Sequence, residues 1–182
     1  GFVSVNEYIK RYRPDIVVMA GDLTHFGPSS WAEKLINSIN VPLIAVNGNC
    51  DTEDVVRLLD KHDCGLLNYL RKMKGLTFLG LAYPFHGGLD ITEEPDIVVS
   101  HVPPKGCNDT VPGGDEIGSE EIRKFIMKHR PRLVLSGHAH ESPGIMELEG
   151  IICINSGPAK DGFGAIVDIE GDSIQARILK PS

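Results

Sequence analysis

Leu133-Val134-Leu135-Ser136-Gly137-His138-Ala139-His140 is a short apolar run that breaks at a glycine and ends on two histidines. Three other stretches are built in the same way. Ile16-Val17-Val18-Met19-Ala20 runs into Gly21-Asp22, Leu43-Ile44-Ala45-Val46 into Asn47-Gly48-Asn49, and Ile97-Val98-Val99-Ser100 into His101. Runs that are apolar without alternation fit strands covered on both faces, as parallel sheets are. In an open α/β sheet, ligands bind beyond the carboxyl ends of the parallel strands. The four runs would therefore deliver one carboxylate (Asp22), one carboxamide (Asn49) and three imidazoles (His101, His138, His140) to a single edge. Oxygen and nitrogen donors of this kind suit manganese, iron, zinc, nickel or cobalt. His138 and His140 stand two apart, so in extended chain both can face one side. The glycines before Asp22, Asn49 and His138 permit sharp turns and close backbone approach.

Helical patterns separate the runs. Ser29 or Ser30 can cap a helix to about Ile39, and Thr52 one to about His62. Ser119, followed by Glu120 and Glu121, opens a helix ending near Arg130, with acids at its start and bases at its end as the helix dipole prefers. Leu76 to Ala82 reads as a further strand. Strands alternating with helices imply parallel βαβ units. After Ser142 the pattern changes. Ile145 to Leu148, Ile151 to Asn155, Phe163 to Ile169 and Ile174 to Leu179 are joined by Glu149-Gly150 and Glu170-Gly171-Asp172, which are hairpin connections. The expected architecture is an α/β, four-layer α/β/β/α sandwich with mixed sheets, parallel in its first part and antiparallel in its C-terminal hairpins. No internal repeat or linker divides the chain, so residues 1–182 are read as a single domain. Val5, Tyr8, Ile9 and Tyr12 mark one face of a helix that Gly1 enters in mid-course. The N-terminal strand and the start of this helix are therefore expected to lie upstream.

The 182 residues carry a formal charge of -7, 41% hydrophobic residues and no basic run. That excludes non-specific nucleic-acid binding, which needs a basic footprint. It does not exclude a phosphate substrate, since bound cations reverse the local sign in an acidic site. No apolar run reaches the roughly 18 residues of a membrane span and no signal peptide is visible, so the expected location is cytoplasmic, without membrane association. Cys50, Cys64, Cys107 and Cys153 are scattered, with no CxxC pair, and a disulfide framework is not expected.

Together, Gly21-Asp22, Gly48-Asn49-Cys50-Asp51, His101 and Gly137-His138-Ala139-His140 resemble four of the five signature blocks of the calcineurin-like metallophosphoesterases, in order, over residues 14 to about 158. The resemblance implies an enzyme, a dinuclear metal-dependent phosphoric ester hydrolase. Its cofactors would be two divalent metal ions, manganese foremost, with iron, nickel, zinc or cobalt as alternatives. By that match Asp22 bridges the two metals, Asn49, His101 and His138 complete one site, and His140 joins the other. A metal-bridging hydroxide then attacks phosphorus. The family's first block, Asp-x-His after the first strand, is absent from these residues, which leaves only Asp22 and His140 for the second metal. Cys50 stands where many members have the histidine that protonates the leaving group. A thiol is a weaker donor near neutrality, which favours a small phosphodiester or nucleotide-like substrate over a monoester. A non-catalytic scaffold of the same fold and a phosphomonoesterase are the rival readings. A homo-oligomer is left open.

Other polar residues have both a functional and an ordinary reading. Cys50 and Asp51 are candidate catalytic residues, although Asp51 could simply begin the next helix near its positive end. His25, three residues after Asp22, could reach a substrate phosphate or sit in a loop. His86 lies in a glycine-rich loop, and His62 and His129 are read as helix caps. Lys105 and Asn108 are expected to be solvated, Trp31 to belong to the core, and Asn155-Ser156-Gly157 to form a turn near the metal site.

Overall fold

The computed structural model describes residues 2–181. Helix α1 (Phe2–Tyr12) precedes β1 (Val17–Ala20), α2 (Ser29–Asn37), β2 (Leu43–Val46), α3 (Glu53–Lys61), β3 (Leu70–Met73), β4 (Leu76–Leu81) and β5 (Ile97–Ser100). Then come α4 (Glu120–His129), β6 (Leu133–Ser136), β7 (Gly144–Leu148), β8 (Ile151–Asn155), a 3-10 turn (Ala159–Asp161), β9 (Gly164–Glu170) and β10 (Ser173–Leu179). Gly1, at the head of the expected first helix, lies outside the described residues.

β1 and β2 pair in parallel, and β9 and β10 form an antiparallel hairpin. The remaining six strands make one mixed sheet in the order β3-β4-β5-β6-β8-β7, parallel from β4 to β8 and antiparallel at both edges. Three apolar clusters show how these pieces stack. Ala32 and Ile36 of α2 with Val55 and Leu59 of α3 bury against Leu43 and Ala45 of β2. The alternate β2 residues, Ile44 and Val46, face the other way and meet Phe78, Ile97, Val99, Leu133 and Ile154 of the six-stranded sheet. Side chains of β9 and β10, among them Val167 and Ile178, pack on that same cluster. On the far face of the large sheet, Leu79, Val98, Val134 and Cys153 bury against Ile122, Phe125 and Ile126 of α4. The order is helices, small strand pairs, large sheet, helix: the four-layer α/β/β/α sandwich expected from the sequence. Strands that alternate between two buried faces must be apolar throughout, which is why they carry no polar period.

Several local expectations change. β3 was not foreseen, because Leu70-Arg71-Lys72-Met73 has two cations in its middle. Its hairpin to β4 turns at Lys74 and Gly75, both at positive φ (53° and 79°), as tight hairpin turns require. Ser119 does cap α4, accepting from the Ile122 N–H at 3.2 Å. Thr52 precedes α3 without a capping bond. Trp31 is not core but 55% exposed on α2. His129 is no exposed cap; it is buried, with Nδ1 2.9 Å from Glu94 Oε2 and its ring against Phe125. His62 is the C-cap of α3, as expected, and its ring turns to its own loop, its Nδ1 accepting from the Cys64 N–H at 3.1 Å. Among the described residues no helix is long and apolar enough to cross a membrane.

Candidate metal centre

The carboxyl ends of β1, β2, β5 and β6 converge, as the four apolar runs implied. Asp22 follows β1 on a backbone that is left-handed at both Gly21 (φ 89°) and Asp22 (φ 53°). That kink aims the Asp22 carboxylate at the loop after β2, where Oδ1 accepts from the Cys50 N–H at 2.8 Å. The two loops approach so closely that a Cβ on Gly48 would stand 2.1 Å from Asp22 Oδ1 and 2.8 Å from His101 Cε1. Gly48 is therefore required by space. Gly137 is not: a Cβ there would meet nothing closer than 3.5 Å. The unusual backbone after β6 belongs to His138 itself (φ 64°), bridged by a 2.8 Å bond from the Ala139 N–H to the Gly137 carbonyl. A γ-turn at positive φ is rare and strained on a non-glycine residue, and such strain collects at functional sites.

Asn49 Oδ1 lies 2.7 Å from His101 Nε2 and 3.0 Å from His138 Nδ1. Asp22 Oδ1 is 3.5 Å from the same His101 Nε2. The two imidazole rings meet edge to face at 4.9 Å. His101 is buried, and its Nδ1 sits 2.8 Å from the Ala20 carbonyl oxygen. A carbonyl only accepts, so Nδ1 carries the hydrogen and a neutral ring turns its Nε2 lone pair on Asn49 Oδ1. Two lone pairs facing at hydrogen-bond distance need a positive charge between them. Burial, followed by the nearby His101, lowers the His138 pKa below its ordinary value, which disfavours a second imidazolium here.

That is the chemistry of a cation site. Around a metal with donors at about 2.1 Å, neighbouring donor atoms stand roughly 3 Å apart, and the contacts among Asp22, Asn49, His101 and His138 span 2.7 to 3.5 Å. Among the described residues no three His, Cys, Asp or Glu side chains form such a group by themselves; the Asn49 carboxamide is what links the two imidazoles. These four residues fit one divalent cation. A second cation finds fewer donors among the described residues. The resemblance assigns it Asp22 and His140, and His140 is exposed and makes no side-chain hydrogen bond among the described residues. Two donors are fewer than the three or four protein ligands such a site supplies.

The other candidates are placed as follows. Cys50 is half-buried, its Sγ 3.4 Å from Asn49 Nδ2. Burial and then the Asp22 carboxylate raise its pKa, keeping the thiol protonated. Asp51 turns away from the cluster. Its Oδ2 accepts from Gly48 N–H (2.9 Å) and Leu23 N–H (3.2 Å), and its Oδ1 from Thr24 N–H (2.9 Å) and Thr24 Oγ1 (3.3 Å). It ties the Asp22 loop to the Asn49 loop. Burial raises its pKa, although those backbone donors pull the other way. His25 is exposed and edge-on to Phe26, whose N–H donates to the Cys50 carbonyl at 2.9 Å. His86 is exposed as well.

Four residues, Asn155, Asn108, Asn47 and Tyr83, support the cluster in ways that sequence reasoning did not assign to them. Fully buried Asn155 donates from Nδ2 to the Ala139 carbonyl (2.7 Å) and the Asn108 carbonyl (3.0 Å), fixing the loop that carries His138. Asn108 in turn reaches the Cys153 carbonyl at 3.2 Å rather than solvent. Asn47 grips Tyr83 at both backbone atoms, 2.8 Å to its carbonyl and 3.0 Å from its N–H. Tyr83 presents its ring edge-to-face to His101 at 5.7 Å. Asn47, directly after an apolar run, was visible but overshadowed by Asn49; nothing in the sequence marked Tyr83.

Known proteins share this fold. An uncharacterised protein of Methanocaldococcus jannaschii is 30% identical, the match covering 79% of this chain and 78% of that protein. The crystal structure of TT1561 of Thermus thermophilus superposes with a TM-score of 0.67 at 14% identity, over 97% of this chain and 91% of that one. Vps29 complexed with zinc, from Entamoeba histolytica, superposes with a TM-score of 0.51 at 12% identity, over 96% and 86%. These superpositions speak for the fold. The calcineurin-like phosphoesterase model matches residues 2–142, which include Asp22, Asn49, His101, His138 and His140. With that match over most of its length, the chain belongs to the calcineurin-like phosphoesterase family, whose members generally use divalent metal ions for phosphoester hydrolysis.

Proposed function

We propose that the protein hydrolyses a small phosphodiester or nucleotide-like ester with a divalent cation, manganese foremost, held by Asp22, Asn49, His101 and His138. The observation that carries this reading is the meeting of Asn49 Oδ1 with two imidazole nitrogens at 2.7 and 3.0 Å, beside a carboxylate. When bound, such a cation supplies a Lewis-acidic centre that acidifies water and offsets phosphate charge. In the overall reaction a P–O bond forms from water and the P–O bond to one alcohol breaks. One proton of the water ends on that alcohol, and the other is released to solvent.

The chain's own groups have separate tasks. The Ala20 carbonyl orients His101, and Asn155 orients the His138 loop through Ala139. Asp51 keeps the two ligand loops in register and is a positioning residue. Cys50 is the nearest protonated group, but its raised pKa makes it a poor acid towards a departing alkoxide. That favours esters whose alcohol leaves readily, and so a diester over an alkyl monoester. His25, exposed beside Phe26, can meet a substrate phosphate.

The test compares release of 4-nitrophenol from bis(4-nitrophenyl) phosphate and from 4-nitrophenyl phosphate, with manganese and after chelation. Faster, manganese-dependent turnover of the diester supports the reading. Preference for the monoester would reverse the substrate assignment. Absence of turnover despite measurable manganese binding would favour the scaffold. Metal content by mass spectrometry, about one or two ions per chain, decides whether a second cation joins through His140.

A further inference from the structure

A groove of about 410 Å³ opens directly beside Asn49, between the Tyr83-Pro84 loop and helix α3. It falls in the size range of small-ligand sites. Tyr83 and Pro84 line it together with Glu53, Val56 and Arg57 of α3. Asn49 belongs at once to this groove and to the candidate cation cluster. A phosphate at the cluster therefore has space for an organic substituent on this side. On the other side of Tyr83 a second cavity, next to His101, holds only about 140 Å³.

The walls favour a flat, aromatic occupant. Tyr83 is half-buried and fixed: Asn47 holds its backbone at both polar atoms, and its ring abuts buried His101. Pro84 and Val56 add apolar surface. Arg57, which also lines the groove, has its guanidinium tied to Glu53 and Asp54 only by exposed ion pairs, which contribute little. A guanidinium free to swing can stack on a π-face, and a fixed phenol ring can pack against it from the opposite side. We infer that this groove receives an aromatic arm of the ester, such as an aryl group or a nucleobase, with Tyr83 and Arg57 as the residues that select it. The inference rests on the phosphoesterase reading of the neighbouring cluster.

The test is calorimetric binding of phenyl phosphate and of methyl phosphate to the manganese-loaded protein. The protein should bind phenyl phosphate about tenfold more tightly, as one aromatic contact of this kind gives. Tyr83→Ala and Arg57→Ala should each remove most of that preference, Tyr83→Phe should keep it, and Val56→Trp should abolish it by filling the groove. Equal binding of the two phosphates by the unaltered protein, or an aryl preference untouched by Arg57→Ala, an exposed position that does not endanger folding, would overturn the inference. Hydrolysis is a separate readout. Diester turnover without an aryl preference sinks the groove and leaves the proposed function standing. A Tyr83-dependent aryl preference without any turnover does the reverse.

Discussion

Asn49 and His138 are 89 positions apart in the chain, yet Asn49 Oδ1 rests 3.0 Å from His138 Nδ1. The same oxygen reaches His101, so the Asn49 carboxamide is the hub of the cluster. Asn49→Ala should lower manganese affinity at least about tenfold, since even the outer partners of metal ligands contribute that much. Titration of chelated protein with manganese would show it, and unchanged affinity would remove Asn49 from the ligand set.

Gly48 sits where no side chain fits. Its added methyl would collide with Asp22 Oδ1 and the Asp22 backbone nitrogen, at 2.1 and 2.5 Å. Gly48→Ala should cost about 1–3 kcal/mol, the scale of overpacking at a rigid contact, and should also weaken manganese binding. A urea midpoint equal to that of the unaltered protein would contradict the close approach.

Asp51 accepts four hydrogen bonds from the two ligand loops. Asn at this position offers one oxygen, and its amide group faces N–H donors. Asp51→Asn should destabilise by about 2 kcal/mol, the cost of buried donors left without acceptors, as read from denaturant unfolding. Because Asp51 turns from the cluster, stoichiometric manganese binding should survive at saturating metal; its complete loss would make Asp51 more than a tie between loops.

Burial raises the Cys64 thiol from 9.0 to about 11. In the unfolded chain the thiol ionises first, so its contribution to stability is complete below pH 9.0 and declines as the pH climbs towards 11. The unfolding free energy should therefore fall between those values, and Cys64→Val should flatten the fall. An identical alkaline decline in the variant would assign it to other groups.

Most of the architecture could be read from sequence because the strands that build the site are packed on both faces, β2 and β5 fully buried and β1 half-buried. Such strands must be continuously apolar, and each ends where its polar residue begins. β3 was unreadable for the opposite reason: with Arg71 and Lys72 in its middle it has no apolar pattern, and only its pairing with β4 makes it a strand. The four residues that meet at the site were all named from sequence, yet the devices that aim them were not. Positive φ at Asp22 and His138, the Ala20 carbonyl behind His101 and the Asn155 amide behind Ala139 are relations between distant backbone segments. His140 shows the limit of spacing arguments. Two residues apart on an extended chain share a face, but the γ-turn at His138 breaks that extension, and His140 ends exposed.

The four meeting side chains come from two different layers: Asp22 and Asn49 from the pair β1–β2, His101 and His138 from the six-stranded sheet. Between those layers lie side-chain packing and a few single hydrogen bonds, such as His101 to the Ala20 carbonyl and Asn47 to Tyr83, and among the described residues no shared ladder of strand pairing. An ion bound there would rivet one layer to the other at their common rim. Its binding energy would count directly towards holding the sandwich shut, and stripping it would leave the rim as the place where the two layers first part.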